Sequence, residues 1–235
     1  MQLILFPYAG GSGPAYRKLT DHLPRHWTMQ TIELPGRGQR IREPLCNSLE
    51  QMLDDIGTQI SEGPIDLHHP YAFLGHSMGS ILAFMTAQRQ QEQKQRLPDV
   101  LICSGFRALH LPHERILRHD LDSHAFRNEL RAMGGVPSEI LENSELMDFF
   151  EPIIRADFKI CEEFVLEQPD ELPVPLHTLF GTEDDLTEHE KEEWNRLSSQ
   201  PVHRHDFQGH HFFIFSNNGV VADRLLSIAQ RYDNS

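Results

Sequence analysis

The residues with the clearest chemical capacity are Gly75-His76-Ser77-Met78-Gly79. They fit the pattern G-x-S-x-G, a nucleophile elbow, in which a serine is lifted clear of a sheet edge on a sharp strand-to-helix turn. Glycine is needed on both sides because a Cβ would crowd the turn, and the serine itself takes a strained backbone conformation. A helix starting at such a turn aims unpaired N–H groups at the serine, where they can stabilise a developing oxyanion. With Gly and Ser each near 7% of residues, chance alone gives about 0.1 such patterns in a chain of this length. The flanks therefore carry the weight. Tyr71-Ala72-Phe73-Leu74 reads as an apolar strand, and Ser80-Ile81-Leu82-Ala83-Phe84-Met85 as the start of a helix. Without them the five residues would be a tight glycine turn with an ordinary serine.

A serine nucleophile needs a base and an acid that orients it. Late in the chain, Gly181-Thr182-Glu183-Asp184-Asp185 follows a strand-like stretch, and Gln208-Gly209-His210-His211-Phe212 follows the next one. The order Ser77, Asp184, His211 matches a known nucleophile–acid–histidine order. His211 would take the Ser77 proton and Asp184 would hold the imidazole tautomer. With fifteen histidines in the chain, it is the place of His211 that informs, and His210 competes for the role as Glu183 and Asp185 compete for that of Asp184. The oxyanion would be met by the N–H of Met78, which follows the nucleophile, and by that of Ala9 in the loop Pro7-Tyr8-Ala9-Gly10-Gly11-Ser12-Gly13. As a phosphate cradle that loop is poor, since neither G-x-x-x-x-G-K-[ST] nor G-x-G-x-x-G follows. His203, His205, His210 and His211 are close in sequence, but no zinc spacing such as H-E-x-x-H occurs. No metal and no cofactor is expected.

The elements that would position these groups alternate. Residues 2–6 form a near-continuous apolar run, as in a strand buried on both faces. Then come a helix over 15–23, a strand over 28–33 and an arginine-bearing turn, Leu34-Pro35-Gly36-Arg37-Gly38-Gln39-Arg40. Leu49, Met52, Leu53, Ile56 and Ile60 recur with helical period over 48–60, with Ser48 and Gln51 placed for a capping box. The elbow strand and a helix to about residue 95 follow, then a strand over 99–104. After an interruption come a strand over 173–180, a helix over 186–197, a strand over 202–207 and a closing helix over 217–231. Strand–helix alternation of this kind predicts an α/β fold with a mainly parallel sheet and helices on both faces.

The interruption spans about 106–169. It lacks a convincing strand, and Leu146, Phe149, Phe150, Ile153, Ile154, Phe158, Cys161, Phe164 and Val165 recur at helical steps, with Pro152 expected to start or kink a helix. A helical insertion there can cover the C-terminal edge of the sheet as a lid, shape an apolar acyl pocket and limit water. The same residues also suit a plain helical subdomain packing its own core. The 235 residues suit one domain containing this insertion.

A hydrophobic content of 39% with 24% charged residues describes a soluble globular chain. No apolar run approaches the roughly 18 residues of a membrane span. No basic region precedes the first apolar segment, so a signal peptide is not expected. Cys46, Cys103 and Cys161 are odd in number and widely spaced, which predicts reduced thiols in a cytoplasmic protein. A net charge of −14 argues against nucleic acid or an anionic membrane as main partner. An acidic protein could still dock on local patches such as Arg37, Arg40 and Arg42, or Arg107, Arg115, Arg118, Arg127 and Arg131. Solvated surface charge is the plainer role for most of these.

Five segments together carry a resemblance. Phe6-Pro7-Tyr8-Ala9-Gly10-Gly11-Ser12, Leu34-Pro35-Gly36-Arg37-Gly38, the elbow, Arg155-Ala156-Asp157-Phe158 and Gly209-His210-His211-Phe212-Phe213 occur in the order found in type II thioesterases. The chain resembles these free-standing enzymes of nonribosomal peptide and polyketide synthesis over nearly its whole length. It is similar also to the medium-chain acyl thioesterase of animal fatty acid synthesis. The resemblance implies an α/β-hydrolase fold, a triad of Ser77, Asp184 and His211, and an oxyanion hole of Ala9 and Met78. It implies hydrolysis of acyl thioesters on the phosphopantetheine arm of carrier proteins, as an editing function, by a monomer. Carrier proteins are typically acidic, which makes the arginines around the lid candidate docking groups. Carboxylesterase, acyltransferase and non-catalytic binding module are the alternatives. The chain departs from the pattern in His210, where a second glycine is usual, in Asp185, where proline is common, and in starting almost at its first strand.

Overall fold

A computed structural model describes residues 1–112, 117–167 and 170–232. In chain order the elements are β1 (Gln2–Phe6), α1 (Arg17–Thr20), β2 (Thr28–Thr31), α2 (Leu49–Glu62), β3 (Tyr71–His76), α3 (Met78–Glu92) and β4 (Val100–Ser104). There follow α4 (Ser123–Met133), α5 (Ser138–Leu141), α6 (Ser144–Glu163), β5 (Leu176–Gly181), α7 (Glu188–Glu192), β6 (Val202–Phe207), α8 (Phe213–Ser216) and α9 (Asn218–Ala229). The strands form one six-stranded sheet in the order β2-β1-β3-β4-β5-β6, and every pairing is parallel.

Side-chain alternation divides the core into two layers. Ile4, Phe6, Phe73 and Leu101 face α2 and α3 through Met52, Leu53, Ile56, Ile81, Leu82 and Phe84. Leu3, Leu5, Leu74 and Ile102 face the other way, against Leu19 of α1 and Val221, Leu225 and Ile228 of α9. The central strands β1, β3 and β4 are buried at every position, which is why their sequences are apolar without alternation. At the edge, β6 alternates and exposes Arg204 and Asp206, charges that discourage pairing with another chain. Strand order reverses at β1 and β3, so the loops after these two strands meet at the crevice where ligands enter such sheets.

Several boundaries differ from expectation. The helix expected over 15–23 is a 3₁₀ turn (Gly13–Tyr16) plus the four-residue α1, and that expected over 186–197 is α7 followed by another 3₁₀ turn (Glu193–Arg196). Ser48 caps α2 by accepting from Gln51 N–H at 3.3 Å, but the Gln51 side chain accepts from Asn47 N–H rather than from the cap residue. Pro152 does not start a helix: it lies within the 20-residue α6. It is exposed, as is Asp148 one turn earlier, so the carbonyl left without its N–H partner can be solvated.

The described residues between β4 and β5 hold α4, α5 and α6, which enclose a core of Phe126, Leu130, Leu141, Met147 and Ile154. Leu146 and Phe149, expected to be internal, are 40% and 49% exposed. Farther along α6, Ile160 and Cys161 join the main core. Among the described residues no helix is long and apolar enough to cross a membrane.

Candidate active site

Ser77 has φ 55° and ψ −120°, a conformation L-residues avoid and that persists only where its surroundings enforce it. The enforcement is visible. A Cβ on Gly75 would collide with the Gly79 carbonyl, and one on Gly79 would collide with the Phe6 carbonyl of β1. Ser77 N–H donates to Ser104 O at 2.7 Å. The buried Ser80 hydroxyl lies 3.1 Å from Gly75 O and 3.0 Å from Ser104 O, and accepts from Ser104 N–H at 2.9 Å. These bonds pin the elbow to β4. Met78 opens α3, so its N–H belongs to the first turn, which has no intrahelical acceptor.

The acid and histidine loops are held to each other by backbone. Thr182 N–H donates to Phe207 O at 2.8 Å and Glu183 N–H to Gly209 O at 2.9 Å. His211 Nδ1 consequently lies 3.1 and 3.2 Å from the two Asp184 carboxylate oxygens, with side chains only 17% and 6% exposed. The competing groups line the same cavity but lie on its exposed side. His210 is 79% exposed and turns to Glu183, with Nε2 3.0 Å from its carboxylate, and Asp185 is exposed. His210 tolerates the place of a glycine for a simple reason: among described non-glycine residues only Ser77 and Lys94 have positive φ.

Ser77, Asp184, His211 and Ala9 line one cavity of about 410 Å³. Met133 of α4 and Phe158 of α6 close it from the insertion, yet Arg118, Glu129 and Glu162 also reach its wall, so it is mixed in character rather than the apolar pocket expected. A smaller space of about 30 Å³ adjoins Ser77 between Leu130, Val136, Ile154 and Phe212.

A family model described as "Thioesterase domain" matches residues 1–230. The chain belongs to the thioesterase family. It is 32% identical to the linear gramicidin dehydrogenase LgrE of Brevibacillus parabrevis, over 98% of this chain and 88% of that protein. Among solved structures, ClbQ from the colibactin NRPS/PKS pathway is 29% identical with a TM-score of 0.89, covering 98% of this chain and 97% of its own. YbtT, a type II thioesterase from the yersiniabactin NRPS/PKS biosynthetic pathway, is 28% identical with a TM-score of 0.85, covering 96% and 91%. The sheet and flanking helices of this thioesterase are thus those of the α/β-hydrolase fold its sequence predicts.

Three features of this thioesterase, two at the site and one away from it, differ from what the sequence suggests. His76, fully buried, has its ring centroid 5.0 Å from that of His211. Burial pushes its imidazole well below the ordinary histidine value, and the neighbouring His211 adds to the effect. Its ring is thereby held in the neutral form. Arg37 and Arg107, candidates for surface docking, are 3% and 5% exposed. Arg37 forms a two-pronged ion pair with Asp157, and Arg107 donates to Leu111 O and Phe164 O. Arg118 and Arg127 pair with Glu129 and with Asp148 and Glu151; Arg115 lies outside the described residues. The third feature is a histidine cluster away from Ser77: His177 Nδ1 is 2.9 Å from His205 Nε2 in stacked rings, with His203 beside them. Only the i, i+2 spacing of His203 and His205 hinted at it.

Proposed function

We propose that this thioesterase is a free-standing type II enzyme that hydrolyses acyl groups from the phosphopantetheine arm of carrier proteins in nonribosomal peptide or polyketide synthesis. The observation that carries the reading is one cavity shared by Ser77, on its left-handed elbow, and His211, whose Nδ1 faces Asp184. Asp184 accepts from Nδ1–H and leaves Nε2 as the basic nitrogen. Nε2 takes the Ser77 hydroxyl proton as Oγ attacks the thioester carbon. The N–H groups of Met78 and Ala9 stabilise the tetrahedral oxyanion. Its collapse breaks the carbon–sulfur bond, and the pantetheine sulfur leaves as a thiol with the proton from His211. Water then gives a proton to His211 and attacks acyl-Ser77, and as the acyl–oxygen bond breaks His211 returns that proton to Ser77 Oγ, releasing the carboxylic acid and restoring the serine.

The relatives named for gramicidin, colibactin and yersiniabactin routes support carrier-bound substrates and an editing role that clears stalled acyl groups. Three buried free thiols suit a reducing cytoplasm. The dehydrogenase name of LgrE does not transfer to this chain. Pyrophosphate binding needs G-x-G-x-x-G leading into a helix, whereas the loop after β1 ends in a 3₁₀ turn, Gly13–Tyr16, with Tyr16 buried against Phe6 O.

The test is deacylation of an acyl-phosphopantetheinyl carrier protein by wild type and by Ser77→Ala, beside the matching oxygen ester. Rapid thioester turnover, reduced roughly 10³-fold or more in the variant, is the expected result. Slow thioester turnover with brisk ester cleavage would leave a carboxylesterase, and transfer to an added alcohol an acyltransferase.

A further inference from the structure

Asp157 has no role in the chemistry above, yet it is fully buried in α6 and bonded to two separate loops. Its carboxylate takes both arms of the Arg37 guanidinium, one at 2.9 Å, and accepts from Gly10 N–H at 2.7 Å. Gly10 adjoins Ala9, the expected second oxyanion donor. The loop there is a tight turn: Gly11 N–H donates to Tyr8 O at 2.8 Å, and Gly10 has φ +75°. A bond from the first carbonyl to the fourth N–H with positive φ at the third residue is the signature of a type II turn. The Tyr8 carbonyl and the Ala9 N–H belong to one planar trans peptide, so they point in opposite directions. Fixing the carbonyl on Gly11 thus fixes where the Ala9 N–H points. The central peptide of such a turn can flip toward the type I arrangement. Its N–H is the group that Asp157 holds. Ile154, one turn earlier on α6, also presses on this place: a Cβ on Gly10 would lie 2.9 Å from its Cγ1.

We propose that Asp157, itself fixed by Arg37, is a positioning residue for the oxyanion hole, holding the Tyr8–Gly11 turn from the insertion so that the Ala9 N–H stays aimed at the Ser77 carbonyl adduct. The proposal rests on the thioesterase reading for its substrate but not for its geometry. Docking of α6 on the sheet and assembly of the oxyanion hole are then one event, because the same carboxylate takes part in both.

Two variants test it. Asp157→Asn keeps the shape but leaves Arg37 buried without its counter-charge, which can cost the fold. The double variant Arg37→Met/Asp157→Leu removes both charges, a change that buried ion pairs commonly tolerate, and leaves Gly10 N–H without its carboxylate acceptor. In the folded double variant, kcat falls roughly ten- to a hundredfold, less than loss of a whole oxyanion donor. KM stays within about threefold, and inhibition by an alkylboronic acid, whose tetrahedral Ser77 adduct occupies the oxyanion hole, weakens by the same factor as kcat. A kcat within about threefold of wild type, a loss confined to KM, or unchanged boronate affinity overturns the proposal. Should wild type turn over no carrier thioester, the carrier-substrate reading fails, while the boronate comparison still decides the role of Asp157.

Discussion

At the scale of single residues, two adjacent histidines have separate fates. Both line the cavity, but His211 is largely buried facing Asp184, whereas His210 is exposed against Glu183 with an ordinary backbone. His210→Gly, the glycine usual in the resembling enzymes, is therefore expected to leave kcat within about twofold, since an exposed pair such as His210–Glu183 is worth little. His211→Ala should remove roughly 10³-fold or more, as loss of a triad base does. Steady-state rates of the two variants decide it, and comparable losses would mean that the base has been assigned to the wrong ring. That Ser77, Asp184 and His211 meet in one cavity was legible, because each follows a strand in a loop of recognisable composition. Their setting was not. Arg37 and Asp157 stand 120 positions apart, and nothing local tells a buried, paired arginine from a solvated one. His76 could be read as an elbow residue, but its contact with the His211 ring depends on two loops meeting in space.

At the scale of elements, long apolar strands and the amphipathic α2 were readable because their periodicity reports burial directly. The short pieces around residues 13–20 and 188–196 were not, because 3₁₀ and α turns share spacing over one or two turns. The β5–β6 edge adds a property that periodicity hides. His177 on β5 is completely buried, and burial, with His205, His203, Arg231 and Arg224 nearby, lowers its pKa to about 3. Burial first, then Arg224 and His203, lowers that of His205 to about 4. Both rings are neutral when folded, one donating to the other. Their folded pKa values lie below the unfolded value near 6.5, so the unfolded chain binds more protons as pH falls. Stability is full above pH 6.5 and is lost below it, until about pH 4 for His205 and about pH 3 for His177. For His177 the slope is about 1.4 kcal/mol per pH unit. Urea titrations between pH 7 and pH 5, above the range where carboxylates protonate, should show the fall, and His177→Gln should flatten it. Equal slopes for wild type and variant would place the acid sensitivity elsewhere.

At the scale of the whole molecule, the parallel sheet and the insertion are two cores joined by one helix. The sheet layers are sealed by α2 and α3 on one face and by α1 and α9 on the other. The insertion closes around Phe126, Leu130, Leu141, Met147 and Ile154. Helix α6 belongs to both, through Ile154 at one point and Ile160 and Cys161 farther along, and Asp157 lies between them. Local opening follows cooperative units of this kind. Phe126 anchors the smaller unit: its ring meets Phe158 edge-on at 5.7 Å and lies under the Arg155 guanidinium at 4.1 Å. Phe126→Ala should cost the insertion about 3–5 kcal/mol, as for other buried phenylalanines. Native-state hydrogen exchange should then quicken by roughly a hundredfold or more in α4, α5 and the first turns of α6. Amides of β1, β3 and β4 should keep their protection, and those near Ile160 should stay with the sheet. Uniform quickening across strands and insertion would mean a single cooperative unit. In that case the insertion could not loosen over Ser77 without unfolding the sheet that carries it.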